Sequence, residues 1–551
     1  MAFLITLLSV GLRSFALANS SVSERHIPSK STTYTSTVID ATPQPRIATP
    51  KGDQVLHLAG PAQGPNSLDP ALSRDLSSAF LVRQIYRGLT RLDRDLNPVP
   101  ELAQRIEISA DGLTYRFSLR ADASFQDGSP ITADDVLFSM NRSVDPATAG
   151  GNLGPLGGPT FFSGVVGFDQ VVSGAATAMS GVSAIDRLTV QIQLAEPNAA
   201  FLMKLASAPG SVIDRRDVAR GGDWWRAPNG SGPFRIAEWK EGDHMTLAPY
   251  DKFYDGAPLL REVDIRLGSR ALQSFNLYQA GDIDIDSVSL GGVDRVLSAS
   301  AGLSDQVTVT PLFAVDYVAF RSDVAPLSDP MIRRAIQLGF PRKNVASVSF
   351  DGHYREPDGL VPVGMLGSDW TAAMPAFNLE AAKAAITQSS YKSAENVPPI
   401  RIYVSGYSGA ESLRDSLKAS LGLRIEVIDV DWPDFIGGLS KGAFPAYELY
   451  WGADYPDPET FLTSLFGTGR ADNYVGYSNP AMDELLRRAA TEMDPTRRID
   501  LYRRAQQLLI DDNVIVPMYV DVAYTLQKPA VKGLEVTALG ILRLDSVWME
   551  H

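Results

Sequence analysis

The stretch from Tyr447 to Tyr455 concentrates groups that can hold a small molecule. Glu448 supplies a carboxylate, and Tyr447, Tyr450, Trp451 and Tyr455 supply aromatic faces. Aromatic faces stack on sugars and hold cations, so the combination suits a sugar or a cationic solute. Tyr447 and Tyr450 equally fit a buried strand, where they would only pack. Covalent and metal chemistry find less support. His26, His57, His244, His353 and His551 form no metal-spaced pair of the H-E-x-x-H kind. With no cysteine in the chain, disulfides, thiolate catalysis and cysteine metal sites are excluded. The nucleophile-elbow pattern G-x-S-x-G is absent, and Gly406-Tyr-Ser-Gly409 comes nearest without the spacing. The glycine-dense stretch 150–167 lacks the Lys-Ser/Thr ending of a phosphate loop and reads as a surface loop. Carboxylates are plentiful but nothing marks a catalytic pair. Neither an enzyme nor a cofactor or metal is expected.

The elements that must position these residues alternate between strand and helix. Strand patterns fall at 54–59, 115–119, 281–286, 307–320, 401–405, 424–430 and 514–520. Helical spacing falls at 77–89, 269–280, 329–340, 482–490 and 496–509, and around Leu413 and Leu417. At 131–136, Thr132 followed by Asp134 and Asp135 reads as a capped helix start, with the acids at the positive end of the helix dipole. This alternation indicates an α/β architecture.

A chain of 551 residues is too long for one core and implies about three structural units. Its net charge of −14, with no basic cluster, argues against a nucleic-acid or anionic-membrane partner. Residues 2–12 are apolar but too short to span a bilayer. Ala16-Leu17-Ala18 then offers a small-x-small cleavage pattern, although the first basic residue is Arg13. We read 1–18 as a signal peptide and 19–52, rich in Ser, Thr and Pro, as a disordered tether. No cysteine follows the apolar run, so a lipoprotein is not expected.

Several motifs occur in order. They are Asn66-Ser-Leu-Asp-Pro70, Gln84-Ile-Tyr-Arg-Gly-Leu89, Pro100-Glu-Leu-Ala103, Ser109-Ala-Asp-Gly-Leu-Thr-Tyr-Arg-Phe-Ser-Leu-Arg120 and Phe125-Gln-Asp-Gly128. Then follow Thr132-Ala-Asp-Asp-Val136, Gly230-Ser-Gly-Pro-Phe234, a segment at 250–258, Ala280-Gly-Asp-Ile-Asp284 and Arg333-Arg-Ala-Ile336. Ala453-Asp-Tyr-Pro-Asp-Pro458, Tyr477-Ser-Asn-Pro480 with Asp483, and Val516-Pro-Met-Tyr519 close the series. Each piece alone is weak. The ordered set, from about residue 54 to the C-terminus, resembles the family 5 solute-binding proteins of ABC transporters, the peptide- and nickel-binding group.

The resemblance implies a two-lobed α/β fold of the periplasmic-binding-protein type (type II), with an extra subdomain in the first lobe and two hinge crossings. Its expected divisions are lobe I at 53–318 with the subdomain at about 73–220, lobe II at 319–516, and a return to lobe I at 517–551. The crossings are expected near 316–321 and 516–520. The implied function is that of an exported, monomeric substrate-binding component of an ABC importer, periplasmic or extracellular. It would capture a small solute, in the first instance a peptide, by hinge closure and pass it to membrane permease subunits. The same fold holding an oligosaccharide or another cationic solute is the alternative. A peptide's α-amine needs a buried carboxylate. In the oligopeptide-binding relatives this is an Asp at the position of Asp454, with an aromatic at that of Trp451. Asp457 also fits a turn cap in this Pro-rich loop. The resemblance further implies that Arg74, Asp75 and Leu76 offer backbone groups to the peptide as an added strand. Glu448 stands where some peptide binders place an Arg for the peptide's C-terminus, so one carboxylate contact is expected to be missing.

Overall fold

The computed structural model describes residues 37–42, 50, 52–73, 75–150, 156–288, 292–298, 301–344, 353–370, 374–406 and 408–551. The expected signal peptide, most of the tether and Arg74 lie outside the described residues. Thr37–Asp40, inside the expected tether, nevertheless forms a strand. It pairs antiparallel with Ala103–Ile108, Ile39 opposite Ile106. Its β-branched residues suit the edge of an existing sheet even though their neighbours do not.

That sheet has five strands in the order Thr37–Asp40, Ala103–Ile108, Thr114–Leu119, Thr189–Gln193, Val182–Asp186. Ala133–Val144, Gly158–Phe162 and Phe201–Leu205 are helices that contribute Val136, Met140, Phe162, Phe201 and Leu205 to its core. The glycine-dense loop is therefore only partly a surface feature. Gly158 opens a helix, and a Cβ on it would lie 2.2 Å from the Ser143 carbonyl.

A ten-stranded sheet carries the rest of the molecule. Its order is Ile425–Asp429, Ile400–Val404, Ala446–Gly452, Val307–Phe320, Ile515–Gln527, Ile285–Ser287, Val55–Ala59, Glu262–Arg266, His244–Pro249, Phe234–Lys240. One end packs with Leu56, Phe234, Met245, Val263 and Ile265, and takes Val531, Leu544, Val547 and Met549 from the C-terminal segment. The other end is covered on both faces. One face bears Tyr317, Leu449, Phe461 and Tyr502, and the other Val318, Ile336, Ile402, Leu413 and Leu417. Leu413 and Leu417 sit on the helix Ala410–Leu421 and are fully buried, which stabilises the fold by about 2 kcal/mol each.

Two neighbouring antiparallel strands, Val307–Phe320 and Ile515–Gln527, run from one lobe into the other. Their register breaks between Pro311 and Val315, which leaves Asp521 unpaired between two paired stretches. On one side of the break Val522, Tyr524 and Leu526 belong to the core of the first lobe; on the other, Val315, Val318 and Val516 belong to the second. The crossing thus falls a few residues outside the stretches expected from sequence, because an uninterrupted β pattern does not show where its core changes.

Local chemistry explains most element boundaries. Asp75, Asp329, Asn378, Asp431, Asn479 and Asp494 each cap a helix by accepting a hydrogen bond from a first-turn amide. At Thr132, the Asp135 carboxylate accepts from the Thr132 amide at 2.9 Å and its hydroxyl at 2.7 Å. The stretch 281–284, expected as strand, is a turn after the helix Ser274–Ala280, where Gly281 adopts a left-handed conformation at φ 83°.

Candidate functional site

The strand Ala446–Gly452 places the aromatic and acidic residues beside the crossing. It runs antiparallel to Val307–Phe320, with Val318 opposite Glu448, Asp316 opposite Tyr450 and Val315 opposite Trp451. Side chains alternate along a strand, so Glu448 and Tyr450 face one side while Tyr447, Leu449 and Trp451 face the other. Tyr447 is fully buried and packs in the core.

On the first face Glu448 is buried. It accepts from the Ser408 hydroxyl, the Gly409 amide at 2.7 Å and the Ala410 amide at 2.8 Å. Its carboxylate therefore sits on the N-terminus of Ala410–Leu421, where the helix dipole favours negative charge. Asp316 lies against it, within hydrogen-bonding reach of both Glu448 and the Tyr519 hydroxyl. Burial first, and then the Glu448 charge, push the Asp316 carboxyl well above the ordinary range. Burial also pushes Asp521 up to about 6. Tyr519 stacks on Tyr354 with ring centroids 4.0 Å apart.

On the other face, Trp451 donates its indole N–H to the Thr460 carbonyl at 2.9 Å. The Thr460 hydroxyl contacts the Asp454 amide at 3.3 Å and its carboxylate at 3.4 Å. Asp454 itself is exposed. Asp457 is wholly buried, accepts from the Glu459 amide at 3.0 Å and pairs with Arg498 at 2.5 Å. It anchors the start of the helix Glu459–Phe466 from inside the fold.

Tyr455 meets the opposite lobe. Its ring lies 6.1 Å from that of Phe161, and the Lys204 ammonium lies 5.2 Å from its centre. Lys204 also pairs with Glu459 at 2.8 Å, and the Ala199 amide donates to the Ala490 carbonyl at 3.1 Å. These contacts join the five-stranded subdomain to the second lobe across the cleft.

Asp75 and Leu76 open the first helix after the strand Val55–Ala59. Asp75 is extended and caps the helix Leu76–Ile85, accepting from the Ser78 amide at 2.8 Å and from the Asn66 side chain at 3.1 Å. Leu76 is 64% exposed in the first helical turn, so it is helical rather than strand-like. Sequence reasoning missed Asp316, Asp521, Tyr519, Lys204 and Glu459. For the two aspartates a signal existed, a lone carboxylate inside an otherwise apolar strand.

Residues 97–473 match the family model described as bacterial extracellular solute-binding proteins, family 5 middle. The chain belongs to that family. This family 5 protein is 26% identical to the periplasmic oligopeptide-binding protein OppA of Escherichia coli K12, over 85% of its own length and 87% of the relative's. It is 26% identical to the dipeptide-binding protein DppE of Bacillus subtilis 168, over 90% and 91%. Its fold matches the unliganded open form of the murein tripeptide-binding protein MppA with a TM-score of 0.77 and 24% identity, over 91% of this chain and 99% of that one. Among the described residues, no group of three or more His, Asp or Glu could hold a metal ion. No helix among them is long and apolar enough to cross a membrane.

Proposed function

We propose that this family 5 protein is the exported substrate-binding component of an ABC importer, taking peptides in the cleft between its lobes and passing them to permease subunits. The observation that carries the reading is the pair of strands crossing between two separately cored lobes, with Trp451 and Asp454 grouped around Thr460 at the crossing end of the cleft wall. Relatives named for oligopeptide and dipeptide binding, aligned over most of both chains, support it. In this reading 53–318 and 517–551 form the first lobe and 319–516 the second. The C-terminal segment's place in the first lobe's core supports that division.

A hinge between two cored bodies allows closure, and a solute that binds the closed form better shifts the population toward it. Asp454, held by Thr460 yet exposed, meets the α-amine. Trp451 supports the loop through its bond to Thr460. Tyr455 joins the lobes, and Asp75 and Leu76 shape the first lobe's side. Binding and release suffice for this role, with no chemical step.

The test is thermal unfolding of ligand-free protein with a mixed pool of short peptides and, in parallel, a panel of oligosaccharides. Peptides raise the melting temperature, and Asp454→Asn removes most of the rise. Shifts with sugars alone would replace the peptide reading by the oligosaccharide one.

A further inference from the structure

At the crossing of the lobes two carboxyl side chains lie together without a cation. Asp316 and Glu448 are 8% and 6% exposed, and neither they nor Asp521 form an ion pair with Lys or Arg among the described residues. Glu448 is engaged by the three donors at the start of Ala410–Leu421. Asp316 is not: its Oδ1 is shut off from water and has no hydrogen-bond partner among the described residues. A buried carboxylate oxygen left unpaired is costly, and a second carboxylate beside it adds repulsion.

The surroundings are built rather than accidental. Tyr519 donates to Asp316 and stacks on Tyr354, and Tyr450, opposite Asp316 in the sheet, bonds to Asp521. Asp521 occupies the unpaired position where the strand passes between lobes, and it is only partly buried, as are Tyr450 and Tyr354. A Cβ on Gly409 would come within 3.1 Å of Glu448 Oε1 and 3.3 Å of the Tyr519 ring, so the wall is already in tight contact there. Arg355, on the adjoining segment, is exposed, and its charge acts on Tyr524.

We infer that Asp316, Glu448 and Asp521, framed by Tyr450, Tyr519 and Tyr354, form a pocket for a cationic side chain of the bound peptide, a guanidinium or an ammonium. The orphaned Asp316 oxygen carries the inference, because a cationic donor is the group that would satisfy it and offset the paired charge. Aromatic faces beside the carboxylates add cation–π attraction. Burial raises both the Asp316 and the Asp521 carboxyls, and the Glu448 charge raises Asp316 further; a bound cation would favour their ionised forms. The inference rests on the peptide reading above and names the side-chain class preferred.

The experiment is calorimetric titration of ligand-free, full-length protein with four-residue alanine peptides carrying one Arg, Lys, Met or Glu at each position in turn. At one position Arg or Lys binds at least about tenfold tighter than Met, and Glu binds more weakly than Met. In Asp316→Asn the ratio of cationic to Met affinity falls toward one; Asp521→Asn provides a second variant, and circular dichroism checks that each is folded. Equal binding of Arg, Lys and Met peptides overturns the pocket while leaving the peptide reading intact. If no peptide binds, the peptide reading fails, and free arginine and agmatine then decide the pocket alone: binding lost in Asp316→Asn keeps it, and no binding removes it.

Discussion

Arg498 shows how one residue secures the loop that carries Asp454. Its guanidinium reaches Asp457 at 2.5 Å, donates to the Ala489 carbonyl at 3.0 Å and lies 5.4 Å from the centre of the Tyr502 ring. Both charges are buried, with Asp457 at 0% and Arg498 at 4% exposure. The net worth of such a pair is small, but removing one partner strands the other charge in an apolar site. Arg498→Leu is therefore expected to cost about 3–5 kcal/mol in urea unfolding. A loss below about 1 kcal/mol would show that the pair does not hold the loop. The residue scale also explains a division the sequence could not make. Asp454 and Asp457 sit three apart in one Pro-rich loop, yet one is exposed and the other wholly buried.

At the scale of elements, the segment Gly230-Ser-Gly-Pro-Phe234 acquires a physical reason. A Cβ on Gly232 would lie 2.6 Å from the Ile85 carbonyl carbon and 2.7 Å from the Gln84 oxygen, where the helix Leu76–Ile85 ends. Ser231 between the glycines accepts from the Arg87 amide and donates to the Val212 carbonyl, both at 2.9 Å. The motif is thus a close backbone contact that seats the helix on the first lobe. Gly232→Ala should destabilise by about 1–3 kcal/mol, because backbone, not a flexible side chain, must move. An unchanged melting temperature would refute this. Helix and strand types were legible here from capping residues and apolar spacing; the contact that requires glycine was not, since its partner lies far away in the chain.

For the whole molecule, the contacts between lobes set the balance of open and closed forms. Lys204 and Glu459 pair across the cleft with Tyr455 and Phe161 beside them, and Glu459 Oε2 has no hydrogen-bond partner among the described residues. Lys204→Met leaves the Glu459 charge facing an apolar side chain, so the ligand-free protein should open further. Small-angle scattering would register a larger radius of gyration than that of the parent protein, and a solute that drives closure would bind more weakly. An unchanged radius would show that this pair does not bias the hinge.

Much of this molecule was determined by its sequence alone. Apolar periodicity, capping residues and the ordered motifs gave an α/β chain of two lobes and membership of a solute-binding family, because these depend on residues close together in the chain. The tertiary structure decided which side chains meet. Strand alternation sends Glu448 and Trp451 to opposite faces although they are three residues apart. Strand pairing brings Asp316 to Glu448 and leaves Asp521 at the crossing. Glu448, read from sequence as a solute-facing carboxylate, serves first as the anion at a helix N-terminus. Such juxtapositions arise from register between distant strands, and register is set by the packing of whole lobes rather than by any local run of residues.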